Sequence, residues 1–142
     1  MNKIINKPHL FFWGLIPLCL IIGFILKSSG INIDFYGGNF TISYWPLFIF
    51  SSTFFGLIGI NYFALNIMNK PNKRGLTITH LGLQILAFIL LFFYIYQTQK
   101  ENTSFHTDFL NLTLLIAVFI FLIASFIHLI NFFLSLLSKN DD

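Results

Sequence analysis

The sequence predicts an all-α fold, an integral membrane bundle of four transmembrane helices that forms a single domain over residues 1–142. Of its 142 residues, 56% are hydrophobic and only 9% are charged, whereas a soluble domain carries about 25% charged residues. Four long apolar runs contain no Asp, Glu, Lys or Arg. About 20 residues at about 1.5 Å each cross a hydrocarbon layer of about 30 Å. Uninterrupted runs of this length fit helices, which satisfy their own backbone groups.

The first apolar run covers residues 10–26. Residues 10–26 follow Lys3 and Lys7, as a signal peptide would. This run is longer than a typical signal-peptide core and has no small-residue cleavage site after it, so we expect a retained helix. The other three predicted helices cover residues 44–68, 76–96 and 109–137. The loop between the first two helices is rich in Gly and Asn, and the alternation over residues 31–36 is typical of either a short strand or an interfacial aromatic anchor.

The orientation follows from the distribution of Lys and Arg. An even number of spans places both termini on the same side as the second loop. That side carries most of the basic residues, namely Lys3, Lys7, Lys70, Lys73, Arg74 and Lys139, and the opposite side carries Lys27 and Lys100. Basic loops stay in the cytoplasm, so we predict cytoplasmic termini. Residue usage rich in Asn, Ile, Lys and Phe indicates a bacterial protein, hence the inner membrane.

Composition and motifs also exclude several functions. The basic clusters flank apolar runs and act as topology determinants, so we expect a lipid bilayer and no nucleic acid as partner. The chain has no Walker A, CxxC or HExxH motif, and its single cysteine, Cys19, has no internal disulfide partner. Ser51 and Ser52 have no histidine or carboxylate in their segment to activate them. We therefore predict no catalytic residue, no metal site, no cofactor and no enzymatic activity.

Histidines are the only ionisable side chains inside the predicted spans. His80 lies near the cytoplasmic end of the third helix and His128 near that of the fourth, at similar depth if the helices are antiparallel. His128 shares a face with Asn131 and Ser125, and Gln84 lies one turn after His80, which favours a polar seam between helices. The alternative is a metal site or a b-type haem held by His80 and His128.

Small and polar residues on the second helix indicate where another helix packs. Ser52 and Gly56 are four residues apart, and Gly59 follows about one turn later. Small residues at this spacing allow two helices to approach closely. Asn61 is expected to form hydrogen bonds between helices. Together with His128 and Asn131, these residues are the predicted helix-packing positions.

About half of the chain, residues 31–95, resembles a fragment of haem–copper oxidase subunit I. The segments INIDFY (31–36) and TISYWPL (41–47) are similar to an outer loop of the type I-D-x-H-x-x-D-T-Y that leads into a helix beginning A-H-F-H. FFGLIGINYF (54–63) resembles the F-x-x-x-x-G-x-x-Y-W that follows, and Thr79-His80-Leu81 falls where the family has I-H-F-W. Small bacterial membrane proteins also carry this fragment alone. The resemblance implies the same placement of the loop outside the cytoplasm.

The residues that bind haem in that family are missing here. Tyr44 and Pro46 occupy the positions of the two histidines of A-H-F-H, and the D-T-Y element is replaced by Gly37-Gly38-Asn39. His80 matches a family position that is not a metal ligand. The resemblance therefore implies a shared helix-packing scaffold without oxidase activity.

Three functions remain open from the sequence. The first is a small non-catalytic membrane protein, an accessory or assembly component of a respiratory or other inner-membrane complex that packs against a membrane-protein partner or another copy of itself. The second is a haem- or metal-binding electron carrier that uses His80 and His128. The third is a transporter or channel subunit, although such proteins tend to have broken helices and intramembrane polar sites.

Overall fold

The computed structural model describes residues 7–35, 38–70, 72–100 and 107–138. Over these residues the elements are α1 (Pro8–Ile25), β1 (Gly30–Phe35), β2 (Gly38–Ser43), α2 (Tyr44–Ile67), α3 (Arg74–Lys100) and α4 (Thr107–Leu137). All four helices are long and apolar enough to cross a membrane. The predicted all-α class with four spanning helices is confirmed, and each predicted run matches one helix to within about a turn. His9, expected before the first helix, lies in the first turn of α1.

The chain divides into two compact units, Met1–Asn69 and Lys70–Asp142. The first contains α1, the two strands and α2, and the second contains α3 and α4. The prediction of a single domain over residues 1–142 stays a prediction.

The helix ends of the first unit follow from local chemistry. Pro8 occupies the first turn of α1, where its fixed φ and missing N–H cost nothing. Ser43 caps α2, since its Oγ accepts a hydrogen bond from the Trp45 backbone N–H at 3.4 Å, as N-cap serines do. At the other end of α2, Asn69 has φ of 53°, a left-handed conformation that asparagine tolerates and that ends helices.

Between α1 and α2 the chain forms an antiparallel β-hairpin. β1 pairs with β2 from Gly30 opposite Ser43 to Phe35 opposite Gly38. The strand-like pattern at residues 31–36 is confirmed up to Phe35, and Tyr36 lies outside the described residues. The sequence analysis did not predict β2, because the Gly- and Asn-rich sequence up to Thr41 was interpreted as a loop. The Tyr44 N–H donates to the Ser29 carbonyl at 3.1 Å, which ties the base of the hairpin together.

α1 and α2 pack through aromatic rings and glycines. The Phe12 ring stacks on Phe55 and Tyr62, with centroid separations of 6.1 and 5.8 Å. Gly59 lies directly beneath the Trp13 indole, so that a Cβ added at Gly59 would collide with that ring. At Gly56, by contrast, an added Cβ would meet only Ile16 Cδ1 at 3.7 Å, an ordinary contact. The close approach therefore depends on Gly59, and also on Gly23 of α1, where an added Cβ would lie 2.7 Å from the Phe48 Cβ.

We expect Gly59→Ala to lower the free energy of unfolding by about 1–3 kcal/mol, because the new methyl group overpacks the Trp13 contact. Gly56→Ala is the matched control and should be neutral or slightly stabilising, since alanine is the better helix former. Denaturant unfolding of the purified protein in detergent measures both. Adding Trp13→Ala should relieve much of the Gly59→Ala cost. Equal effects of the two glycine substitutions would contradict this packing.

Candidate functional site

Several buried polar side chains of the second unit lie where α3 and α4 contact each other. The two helices run antiparallel, as three contacts at successive levels demonstrate. Lys70 Nζ donates to the Ser138 carbonyl at 2.6 Å, Asn131 Nδ2 donates to Thr77 Oγ1 at 2.9 Å, and the rings of His80 and His128 touch. From one contact to the next, the residue number rises on the α3 side by as much as it falls on the α4 side. We call this row of contacts the polar seam; it comprises Thr77, His80, Gln84, His128 and Asn131.

Asn131 is the residue that joins the two helices most directly. Its side chain is fully buried. Besides donating to Thr77, its Oδ1 accepts from the Lys73 backbone N–H at 3.2 Å, a group at the start of α3 that has no partner within the helix. Thr77 Oγ1 in turn donates to the Lys73 carbonyl at 3.3 Å. The amide therefore fixes the beginning of α3 against α4.

His80 and His128 are brought together as their depths in the sequence suggested. Their ring centroids lie 5.0 Å apart with an angle of 30° between the ring planes. His80 is fully buried, and 3% of the His128 surface is exposed. The pair is therefore enclosed between the helices. Imidazole is both a hydrogen-bonding group and a common metal ligand.

This contact does not fit a haem between the two rings. Two metal–nitrogen bonds of about 2 Å on opposite sides of one iron would place the centroids roughly 6 Å apart, with the porphyrin between them. The observed 5.0 Å separation leaves no such gap.

Gln84 completes the seam one turn beyond His80. It is fully buried, and among the described residues neither its Oε1 nor its Nε2 has a hydrogen-bond partner. The antiparallel register puts it at the level of Ala124, whose side chain is only a methyl group. Burying an amide without hydrogen bonds costs roughly 2–7 kcal/mol. The Gln84 amide therefore destabilises the fold unless it gains a partner.

The remaining predicted helix-packing residues lie in the first unit. Ser52 is buried, but its hydroxyl donates to the Ile49 carbonyl of its own helix at 2.8 Å. Gly59 is buried against Trp13, whereas Gly56 and Asn61 are only partly buried. On α4, Ser125 likewise donates to its own helix, to the Phe121 carbonyl at 2.8 Å, and does not join the seam.

The sequence analysis did not single out Thr77, which belongs to the polar seam, or His9, which is buried in the first unit. Thr77 lies one turn before His80 on the same face of α3, so the spacing that singled out Gln84 could also have found it. His9 is buried in the first unit, where its ring contacts Trp13 and Phe63 at centroid distances of 5.4 and 5.5 Å. No sequence pattern linked His9 to Phe63, because they lie on different helices.

The described residues contain no group of three or more His, Cys, Asp or Glu side chains placed to hold a metal ion. The site is a seam of two imidazoles, two amides and a hydroxyl between two apolar helices. With four helices of spanning length, these features define a small multi-pass membrane protein. No family model, no curated protein and no solved structure matches the chain.

We expect Asn131→Ala to destabilise the protein by about 1–3 kcal/mol, because it leaves the Thr77 hydroxyl and the Lys73 N–H with fewer partners. Asn111→Ala removes the same amide from an exposed position of the same helix and should change stability by less than about 0.5 kcal/mol. Denaturant titration of both variants in detergent provides the comparison. If the two losses were equal, the amide of Asn131 would not be holding α3 against α4.

Proposed function

We propose that this protein is a non-catalytic component of the bacterial inner membrane that serves as an accessory or assembly subunit of a larger membrane complex. The observation that carries the proposal is how the second unit uses its polar groups. The Asn131 amide binds Thr77 and the Lys73 backbone N–H, and the Ser125 hydroxyl donates to the backbone of its own helix. These groups stabilise the fold.

The chemistry of the spans supports the absence of catalysis. The membrane spans Pro8–Ile25, Tyr44–Ile67, Arg74–Gln99 and Phe109–Leu137 contain no Asp or Glu. No carboxylate is therefore present within these spans as a general base or as a counter-charge for a transported cation. α1 continues through Pro17 without interruption, unlike the broken helices that form transporter sites. These features favour a scaffold over the transporter alternative.

One face of α4 supports a role in binding another membrane protein. Phenylalanine recurs every seventh residue at Phe119, Phe126 and Phe133, and their side chains are 64%, 69% and 56% exposed. Leucines follow each of these positions by three residues and are also exposed, namely Leu122, Leu129 and Leu136. A heptad spacing of two apolar positions suits knobs-into-holes packing with another helix. We call this surface the α4 ridge.

The resemblance to haem–copper oxidase subunit I suggests which complexes to consider first. A chain with the packing scaffold of that family but without its haem ligands is suited to lie beside a respiratory complex rather than to perform its chemistry. The basic residues around α3, including Lys73 and Arg74, support cytoplasmic termini.

The orientation can be tested with single cysteines introduced after Cys19→Ala. Ser28 and Met68 are exposed residues in the first and second loops. In intact cells a membrane-impermeant maleimide should label the Ser28→Cys variant, while the Met68→Cys variant should react only after the membrane is opened. The reverse pattern would place the termini outside the cytoplasm and remove the proposed orientation.

The accessory role can be tested by purifying the tagged protein in mild detergent and identifying co-purifying membrane proteins by mass spectrometry. We expect a stable partner with the wild type, and at least about a tenfold loss of it when Phe119, Phe126 and Phe133 are all changed to alanine, because aromatic side chains dominate interfaces. Ile85, Ile89 and Phe93 are exposed on α3, and the same triple change there is the matched control. A wild-type protein that purifies alone would contradict the role.

A further inference from the structure

Two exposed faces of the second unit have opposite shapes. The α4 ridge presents bulky side chains, and each of its phenylalanines is more than half exposed. On α3, an exposed stripe begins with Gly75, Thr79 and Gly82, and we call these three residues the α3 groove. A Cβ added at either glycine would have open space around it among the described residues. The Thr79 hydroxyl donates to the Gly75 carbonyl at 3.1 Å, so the groove keeps an apolar surface.

The register of the polar seam places the ridge and the groove at matching levels. His80 contacts His128, and the two helices run in opposite directions with the same rise per residue. Gly82 follows His80 by two residues, and Phe126 precedes His128 by two, so Gly82 and Phe126 lie at one level. The same count makes Gly75 level with Phe133 and Thr79 level with Leu129. Each glycine of the groove therefore has a phenylalanine of the ridge at its own depth.

A second copy of the chain is the partner that fits both faces. Copies of a membrane protein are inserted in the same orientation, so equal levels in one copy are equal depths in its neighbours. The ridge of one copy can then enter the groove of the next, with Phe126 opposite Gly82 and Phe133 opposite Gly75. Small residues let membrane helices approach closely, and close packing drives the association of such helices.

The exposed area is sufficient for a specific contact. If a complete side chain has about 200 Å², the exposed fractions of the six ridge residues amount to roughly 600 Å² per copy. On α3 the stripe continues beyond Gly82 through Leu86 and Ile89, which are also exposed. A contact that covers the ridge and an equal area of α3 would bury about 1,200 Å², more than the about 1,000 Å² expected of a biological interface.

We propose that copies of this protein associate in the membrane by inserting the α4 ridge of one copy into the α3 groove of the next. The contact joins two different surfaces, so it is heterologous and can add further copies in a row. It goes beyond the proposed accessory role, because that role requires the ridge alone, whereas association of copies also requires the groove. The last copy of a row keeps its ridge free for another membrane protein.

Disulfide formation between full-length chains tests the contact directly. Two chains with different tags, one carrying Phe126→Cys and the other Gly82→Cys, are produced together in one membrane, both in the Cys19→Ala background. A membrane-permeant oxidant should join the two tags through a disulfide. Phe133→Cys with Gly75→Cys should give the same mixed product, because these positions are also level.

A pair of cysteines at different levels provides the control. Phe119→Cys with Gly75→Cys should give at least about tenfold less mixed product, since their levels differ by about 21 Å along the helix axis. Disulfides that form mainly between two Phe126→Cys chains would show that two ridges face each other, and would overturn the proposal. Mixed product no greater than the control for both level pairs would show that lipid covers the ridge, and would refute the association.

Filling the groove provides a second test without introduced cysteines. Gly82→Leu should weaken self-association at least about tenfold, because the larger side chain occupies the space that receives Phe126. Energy transfer between donor- and acceptor-labelled copies, diluted with lipid in vesicles, measures the change. Open space around Gly82 within its own copy should allow the variant to fold.

Gly14→Leu is the matched control for the filled groove. Gly14 is exposed on α1 and also has open space around it among the described residues, so its substitution should leave self-association unchanged. Unchanged self-association of Gly82→Leu would exclude the groove as the contact. Capture of a foreign partner depends on the ridge alone, so Gly82→Leu should retain it, and a failure of the accessory role would leave the energy-transfer result as it is.

Discussion

Inside the hydrocarbon layer a polar group has no water to bind, so each buried amide, hydroxyl and imidazole needs a partner from the protein or from something the protein binds. The backbone meets this requirement by forming helices along all four apolar runs. Several serine and threonine side chains meet it within their own helix, as Ser52 does with the Ile49 carbonyl and Thr113 with the Phe109 carbonyl. Asparagine, glutamine and histidine have more bonding atoms, and Asn131, Gln84, His80 and His128 are buried in the α3–α4 unit.

The two helices of each unit associate through different kinds of contact. α1 and α2 pack through shape, with the Trp13 indole seated over Gly59 and the Phe12 ring stacked on Phe55 and Tyr62. α3 and α4 pack through the polar seam. Hydrogen bonds between membrane helices contribute only about 0.6–2 kcal/mol each, so their greater effect is on register. Sliding α4 by one turn would separate Asn131 from Thr77 and His128 from His80 at the same time.

Hydropathy alone was enough to predict the helices, because membrane spans are limited by the length of uninterrupted apolar sequence. The levels of His80 and His128 could also be predicted, since a short connection forces antiparallel neighbours. The Trp13–Gly59 contact could not, because small-residue spacing marks a close approach without identifying the side chain that fills it. The second strand was missed because its Gly- and Asn-rich sequence was interpreted as part of a loop, whereas it forms a strand by pairing with β1. The bond from Asn131 to the Lys73 N–H required knowledge of where α3 begins.

The difference between Asn131 and Gln84 shows how far structural roles explain the seam. Both carry an amide, both are fully buried, and they lie on facing helices. The amide of Asn131 is placed at the first turn of α3, where the backbone still offers an N–H, and it finds both a donor and an acceptor there. Gln84 lies deeper, where the backbone of α3 is occupied with its own helix and α4 presents Ala124. A residue kept only for packing at that position would be apolar, because leucine fills a similar volume without an amide to satisfy. Hydrogen bonding among the described residues therefore explains the burial of the Asn131 amide and does not explain that of the Gln84 amide.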